Sequence, residues 1–433
     1  MTDARDLSRL LPPDPGLPGA GGLFGPSGPS AVRAFLRRRG WDALESRPVQ
    51  ALYRPGASCV VRYRVRATTP AGDPRVLSVS AETRATARPA LAPPDDFASR
   101  YGLADPVQQI DPYLVWAFPY DPSLEGLADA AWGPSVRDIL RASGEAPAAV
   151  SVEPLRYRPR RRAVFRYVAL HRGSRRSILF GKTLRGSAAR RWMLHRPRRA
   201  SRARLDLALP TASHGRTLLV PSLEGRSLRD LLLGGGSLPA PERVAAVLDD
   251  LPGGLGTTPP GDAPDAGHAV RLAGETLRLL ERVASPAMPA AERVAAAVAV
   301  GAEGTAVAPR LVHGDLYEAQ LFVGRGYRLG LIDLDGVGLG DPAMDAANFC
   351  AHLVALALSV PRAADRLLAY RSLLRRAFVR RLRIDPSELA WREGLAMLLL
   401  ATGPFRLIHP EWPDQVRRRS DVAVRLIDSQ GAS

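Results

Sequence analysis

Lysine is almost missing from this chain of 433 residues. Of its 60 basic residues, Lys182 is the single lysine and all the others are arginine. A sequence that uses arginine nearly everywhere and keeps one compact ammonium marks a place where a planar guanidinium does not substitute. Cysteine is scarce as well: Cys59 and Cys350 stand far apart, so there is no disulfide framework and no zinc site to read. No apolar run reaches the ~18 residues of a membrane-spanning helix, and the opening MTDARDLSRLLPPDPG lacks the apolar core of a signal peptide. The cytoplasm is therefore the expected compartment.

Acidic residues are absent from Leu155 to Leu205, where 18 basic ones occur, an excess as large as the net charge of +17. By contrast, Leu311 to Asp345 holds six acids against Arg325 and Arg328. A positive field beside a negative cleft suits a polyphosphate on one side and a cation or hydroxylated substrate on the other. Nucleic-acid binding competes as a reading of the basic stretch, but aromatics are only 6% and no nucleic-acid module is visible. Hydrophobic content of 46% and charged content of 24% are those of a globular protein large enough for two or three domains.

The densest chemistry lies in LVHGDLYEAQLFVGRGYRLGLIDLDGVGLGDPAMD, residues 311 to 345. It contains His-Gly-Asp at 313 to 315, Ile-Asp-Leu-Asp at 332 to 335 and Gly-Asp-Pro at 340 to 342. Between the first two, Leu321 to Val323, a turn at Gly324 to Gly326 and Leu329 to Ile332 predict a hairpin. Such a hairpin brings Asp315, Gln320 and Asp333 toward one edge. Three converging oxygen donors suit a hard divalent cation such as Mg²⁺, which leads to a phosphoryl-transfer site. Strand alternation predicts that Asp333 and Asp335 face the same way, with Asp335 as a further metal contact. Each motif alone is an ordinary turn sequence; their order and separation carry the reading.

The spacing resembles the aminoglycoside phosphotransferase and choline kinase-like family, in which His-Gly-Asp is followed after four residues by Asn and after about a dozen more by Ile-Asp. Here Gln320 holds the Asn position. The maltokinase branch is similar at this point, with Gln for Asn and a second acid matching Asp335. The resemblance implies an α+β bilobal protein-kinase-like fold with a β-rich N-lobe and a mainly helical C-lobe. It also implies an ATP- and Mg²⁺-dependent transfer to a hydroxyl of a sugar, aminoglycoside or amino-alcohol. In that family Lys182 would contact the nucleotide phosphates. The turn Arg160-Arg161-Arg162 would replace a glycine-rich phosphate loop with guanidinium groups, and Val220 and Ser222 would lie at the hinge that meets adenine. Asp315 would orient the substrate hydroxyl, while Gln320, Asp333 and Asp335 would hold the metal. His313, Asp341 and Asp345 would be structural supports. No acid follows Lys182 until Asp206, so the usual glutamate partner of this lysine is unassigned.

Part of the chain repeats. Tyr53-Arg54-Pro55 matches Tyr157-Arg158-Pro159, and Arg62-Tyr63 matches Arg166-Tyr167. Beyond the next turn Glu82-Thr83 faces Lys182-Thr183, and Tyr113 to Leu127 echoes Leu218 to Leu228. A duplicated β-unit is the simplest account. The expected layout is a flexible Pro/Gly-rich arm (1–30), a degenerate N-lobe-like β domain (31–145), the N-lobe (146–222) and a helical C-lobe (223–433). A helix is predicted over Ala31 to Arg39, and His352, on an apolar helix, reads as a core histidine. A pseudokinase that binds nucleotide or a partner without turnover is the alternative reading, suggested by Glu82 in the first copy, the arginine-rich turn and the missing glutamate.

Overall fold

The computed structural model describes residues 7–86, 91–186, 205–255, 267–304 and 308–428. The alternating segment after Leu52 belongs to a five-stranded sheet of β1 (Asp42–Arg54), β2 (Ser58–Thr68), β3 (Pro74–Arg84), β4 (Val107–Ile110) and β5 (Tyr113–Ala117). Its spatial order is β1-β2-β3-β5-β4. A second sheet holds β6 (Ala149–Arg158), β7 (Arg162–Leu170) and β8 (Arg176–Leu184). After β9 (Leu205–Leu207), which belongs elsewhere, β10 (Ala212–His214) and β11 (Thr217–Pro221) complete it. Read from β6, its order is β6-β7-β8-β11-β10, the order of the first sheet.

The likeness extends to register. Val60 pairs with Glu82 in the first sheet and Val164 with Lys182 in the second. Glu82 and Lys182 therefore occupy the same place. The turn residues Gly56 and Arg160, which match at the hairpins, both have positive φ, 70° and 62°. A left-handed arginine costs about 1–3 kcal/mol and persists only where its surroundings hold it. Each sheet also carries a helix on one face, α1 (Ser27–Arg37) on the first and α2 (Gly133–Ala142) on the second. On β7, Ala163, Phe165, Tyr167 and Ala169 alternate into the core shared with α2, which leaves Arg162 and Val164 on the opposite face.

Residues 7–30 are not a free arm. Leu11, Leu17, Leu23 and Phe24 are buried, and Phe24 stacks on Phe405 at 5.8 Å between ring centroids. Asp14 is buried and accepts from Tyr53 Oη (2.6 Å), Gly56 N (2.7 Å) and Gly16 N (3.0 Å). Proline and glycine fix an irregular path here, while the spaced apolar residues bind that path to the first sheet and the C-terminal helices. Composition suggested disorder; burial of those side chains outweighs it. Asp121 treats the second hairpin alike, accepting from Tyr157 Oη (2.7 Å) and Arg160 N (2.8 Å).

The rest is mainly helical. β12 (Arg226–Ser227) leads into α3 (Leu228–Leu233), with Ser227 Oγ accepting from Asp230 N as the cap. Two short helices, Pro241–Ala245 and Val247–Leu255, follow. Then come α4 (His268–Val283), α5 (Met288–Glu303) and β13 (Arg310–Val312). The predicted hairpin is present as β14 (Leu321–Val323) and β15 (Leu329–Leu331), which pair antiparallel, and β16 (Gly338–Gly340) pairs with β13. The chain finishes with α6 (Pro342–Ser359), α7 (Ala364–Leu382), α8 (Pro386–Ala401), the single turn α9 (Gly403–Arg406) and α10 (Trp412–Asp428). One hydrophobic core joins the first sheet to α4, α5, α8 and α10; another lies under the hairpin, α6 and α7. The fold is α+β, with the sheets formed mainly by the first half of the chain and the helices by the second. No described helix is long and apolar enough to cross a membrane.

Candidate active site

Asp315 lies in the loop between β13 and β14, and the left-handed Gly314 before it (φ 80°) sets its course. A Cβ at Gly314 would stand 2.3 Å from the carbonyl oxygen of Gly336, so no other residue fits that approach. His313 donates from Nε2 to the carbonyl of Ile332 (2.9 Å), and its Nδ1 accepts from Asp315 N (3.4 Å). The buried Asp345 of α6 accepts from the backbone N–H groups of His313 (2.6 Å) and Gly314 (3.0 Å). Asp341 caps α6 through Ala343 N (2.8 Å) and accepts from Arg392 Nε (2.6 Å). His313 and Asp345 brace the loop, while Asp341 ties the start of α6 to α8.

Asp333 and Asp335 converge by a different route from strand alternation. β15 ends at Leu331; Asp333 is left-handed (φ 62°, ψ 48°) and opens a short 3-10 turn through Gly336. That turn, and not a pleat, brings both carboxylates to one cation. Lys182 Nζ lies 2.6 Å from Asp333 Oδ1 and 3.4 Å from Asp335 Oδ1. Arg162 Nη1 reaches the same pair at 3.3 and 3.6 Å. Gln320 Nε2 donates to Asp333 Oδ2 at 2.9 Å, so the hairpin does bring Gln320 and Asp333 together. The chain's one lysine thus meets carboxylates 151 and 153 positions downstream.

The electrostatics separate the three acids. Burial pushes the Asp333 carboxyl up, but Lys182 and Arg162 overcome it and hold it well below the usual range. Burial raises Asp335, with Lys182 opposing and Asp333 adding to the rise. Asp315 is pushed up to about 6, by burial first and the charge of Asp333 second, against Arg162, Arg158 and a hydrogen bond from Asn348. A carboxyl near that value accepts a proton more readily than an ordinary aspartate. Asn348 was not singled out in the sequence; its one signal is its place three residues after Asp345, on the same face of α6.

A hard cation fits this set. Asp335 Oδ2 is buried with no hydrogen-bond partner, and the donors around it are two carboxylates and a terminal amide. Gln320 would present its amide oxygen after a half-turn of that group.

The other nucleotide-side residues are placed unevenly. Arg160 is only 4% exposed and turned to the first sheet: it pairs with Glu82, donates to Ser123 Oγ (2.9 Å) and lies over the Trp116 ring. Its side chain is thus turned away from Asp333, whereas Arg162 of the same turn reaches Asp333 and Asp335. Arg161 is exposed at the same turn. Val220 is buried on β11 beside β8, and Ser222 N donates to Ile178 O (3.4 Å), so that amide is already engaged with the ladder. His352 is half-buried and stacks on Tyr317 at 4.1 Å, facing the loop of Asp315.

Residues 290–382, which include the whole Asp315 to Asp345 constellation, match the profile of the phosphotransferase enzyme family. The match bears out, for that stretch, the resemblance read from its motifs. Solved structures similar to it include a thermostable mutant of aminoglycoside phosphotransferase APH(4)-Ia, at 17% identity and a TM-score of 0.47, over 69% of this chain and 99% of that one. Choline kinase from Cryptosporidium parvum is similar at 8% identity and 0.44, over 65% and 91% of the two chains. Spectinomycin phosphotransferase APH(9)-Ia is similar at 11% and 0.41, over 69% and 98%. No curated protein matches the chain.

Proposed function

We propose that the chain is an ATP- and Mg²⁺-dependent phosphotransferase acting on a hydroxyl of a small molecule such as a sugar, aminoglycoside or amino-alcohol. The observation that carries this reading is the contact of Lys182 Nζ with Asp333 at 2.6 Å beside Asp315, within a segment that matches the family. Gln320, Asp333 and Asp335 would hold Mg²⁺, which when bound would neutralise phosphate charge. Asp315 accepts a hydrogen bond from the acceptor hydroxyl and aims its oxygen at the γ-phosphorus. The new O–P bond forms as the bond to the β-phosphate oxygen breaks; ADP leaves with that oxygen, and the hydroxyl proton passes to Asp315 and then to solvent. Lys182 and Arg162 shift from the carboxylates to phosphate oxygens as the nucleotide enters, and Arg161 stands at the rim of the same turn. Val220 and the carbonyl side of Ser222 line the adenine end. Positioning and electrostatics supply the rate, so no covalent enzyme intermediate is needed.

The first sheet, on this reading, is a degenerate copy of the second and binds no nucleotide, because Glu82 replaces the lysine and Arg160 fills the space in front of it. A cytoplasmic setting supplies ATP and keeps the buried free thiols of Cys59 and Cys350 reduced. The pseudokinase reading draws on one observation, that Lys182 is bound to Asp333 and Asp335 and, among the described residues, to no glutamate. Of the 18 basic residues behind the nucleic-acid reading, seven fall at 187–204, outside the described residues.

An ATP-consumption screen with Mg²⁺ against sugars, aminoglycosides, choline and amino-alcohols tests the proposal, with Asp333→Ala and Asp315→Ala as blanks. Turnover that both substitutions abolish supports it. Tight Mg·ATP binding with no turnover on any hydroxyl compound would establish the pseudokinase instead.

A further inference from the structure

The acids around Asp315 are already committed within the chain. Glu318 is buried and bridged to Arg229 (2.7 Å), Asp341 to Arg392, Asp345 to backbone amides, and Asp333 and Asp335 to Lys182 and Arg162. Of the six acids between Leu311 and Asp345, only Asp315 makes no ion pair and braces no backbone among the described residues. A cationic acceptor would find one carboxylate, the one that must meet its hydroxyl.

The basic residues are arranged the opposite way. Arg156 lies opposite Val164 and Arg158 opposite Arg162, and Val164 lies opposite Lys182. Residues directly opposite share a face, so Arg156, Arg158, Arg162 and Lys182 stand on one face of the second sheet. Arg162 and Lys182 reach Asp333. Arg156 and Arg158 make no ion pair with any described residue. From the other side come Arg406 on α9 and Arg419 on α10, both half-buried, which donate to Leu399 O (3.1 Å) and Ser359 Oγ (3.2 Å) and have no carboxylate partner among the described residues. The charges overlap: Arg158 is pushed down to about 10 by burial and then by Arg156, Arg162, Arg406 and Arg161. Arg406 is lowered by burial and by Arg161, Arg156 and Arg419, with Asp315 the one acid that offsets them. Arg156 also acts on Tyr317 and Arg406 on His352, the stacked pair beside Asp315. Guanidinium groups gathered with so little counter-charge are an oxyanion site awaiting its ligand.

Resting on the phosphotransferase reading, we infer that the acceptor is itself an anion: a hydroxylated small molecule whose phosphate or carboxylate is held by Arg156 and Arg406 while Asp315 takes its hydroxyl. Lys182 and Arg162, at the metal acids, serve the nucleotide. Arg156 and Arg406, whose charges are felt at Tyr317 and His352, are left for the acceptor.

The test loads the full chain with Mg·AMP-PNP and titrates four matched probes, glucose, glucose 6-phosphate, gluconate and glucosamine, by calorimetry; turnover with Mg·ATP is followed in parallel. The inference expects the phosphate or the carboxylate probe to bind at least tenfold more tightly than glucose, and glucosamine more weakly than glucose. Arg406→Gln and Arg156→Gln should each weaken the anion about tenfold, as loss of a charge-assisted contact does, with AMP-PNP affinity unchanged. Preference among the anions tells a phosphate from a carboxylate. Glucose or glucosamine binding as well as the anions would overturn the inference, and so would arginine variants that lose AMP-PNP and no anion. Anion binding without turnover would refute the phosphotransferase reading and leave the oxyanion site standing; turnover on neutral or cationic hydroxyls would do the reverse.

Discussion

Glu82 and Lys182 stand at one register position in two sheets of one strand order, yet they do opposite work. Glu82 is 1% exposed and faces Arg160 and Arg84, both side chains of the sheets themselves. Lys182 faces two carboxylates on a turn of the helical half. The first pair is closed, since Arg160 is buried too and is backed by Trp116 and Ser123. The second retains an orphan oxygen on Asp335 and a half-exposed rim. A buried pair that is fully surrounded gives docking specificity and loses heavily if one partner is removed. A pair with a spare acceptor can be opened by a ligand. One strand order thus carries a closed buried pair in the first sheet and an open pair in the second.

Removing the carboxylate beside the open pair should have the largest effect, and on rate alone. Asp315→Ala is expected to lower kcat about 10²- to 10⁴-fold, with Tm not reduced, as read by steady-state kinetics and thermal unfolding. Breaking the closed pair should do the converse: Glu82→Ala strands a buried guanidinium and should cost about 3–5 kcal/mol in urea unfolding, with kcat per folded molecule preserved. If Glu82→Ala left stability unchanged and abolished turnover, the division between closed and open pair would be wrong. Leu17→Ala, in the strap across the first sheet, should cost about 2–5 kcal/mol; a cost near zero would mean that this segment packs only loosely.

The pH dependence sharpens the same contrast. Because the folded Asp315 carboxyl titrates near 6, above its ordinary value, kcat/KM should fall about tenfold per pH unit below that point. The sign for stability is reversed: an acid whose folded pKa is raised costs stability above that pKa, and this cost is relieved as pH falls from about 6 toward 4. Asp315→Ala should remove both the rate limb and that part of the stability change, which parallel unfolding curves of the two proteins at pH 5 and 7 would reveal.

Much of the site was legible because its parts are local. His-Gly-Asp, the hairpin that follows and Ile-Asp-Leu-Asp lie within 35 residues, and turn and strand signals fix how such a segment folds. The one lysine stood out by residue choice alone. Strand alternation was the wrong reason for pairing Asp333 with Asp335, since a left-handed residue ends the strand before it can apply. Arg160 and Arg162 were indistinguishable in sequence, two arginines of one turn, and the left-handed φ at Arg160 sent them to opposite sides.

By itself the sequence determined the order of the motifs, the repeat that gives both sheets their framework, and the residue types at the metal acids, because these depend on periodicity and on contacts near in the chain. Tertiary structure alone decided that residues 7–30 pack as a strap, that Arg160 serves Glu82, and that Arg162 of the same turn reaches Asp333. Those outcomes rest on burial and charge between segments 39 or more positions apart, as Asp14 and Tyr53 are, and no local pattern encodes which surfaces will be brought together.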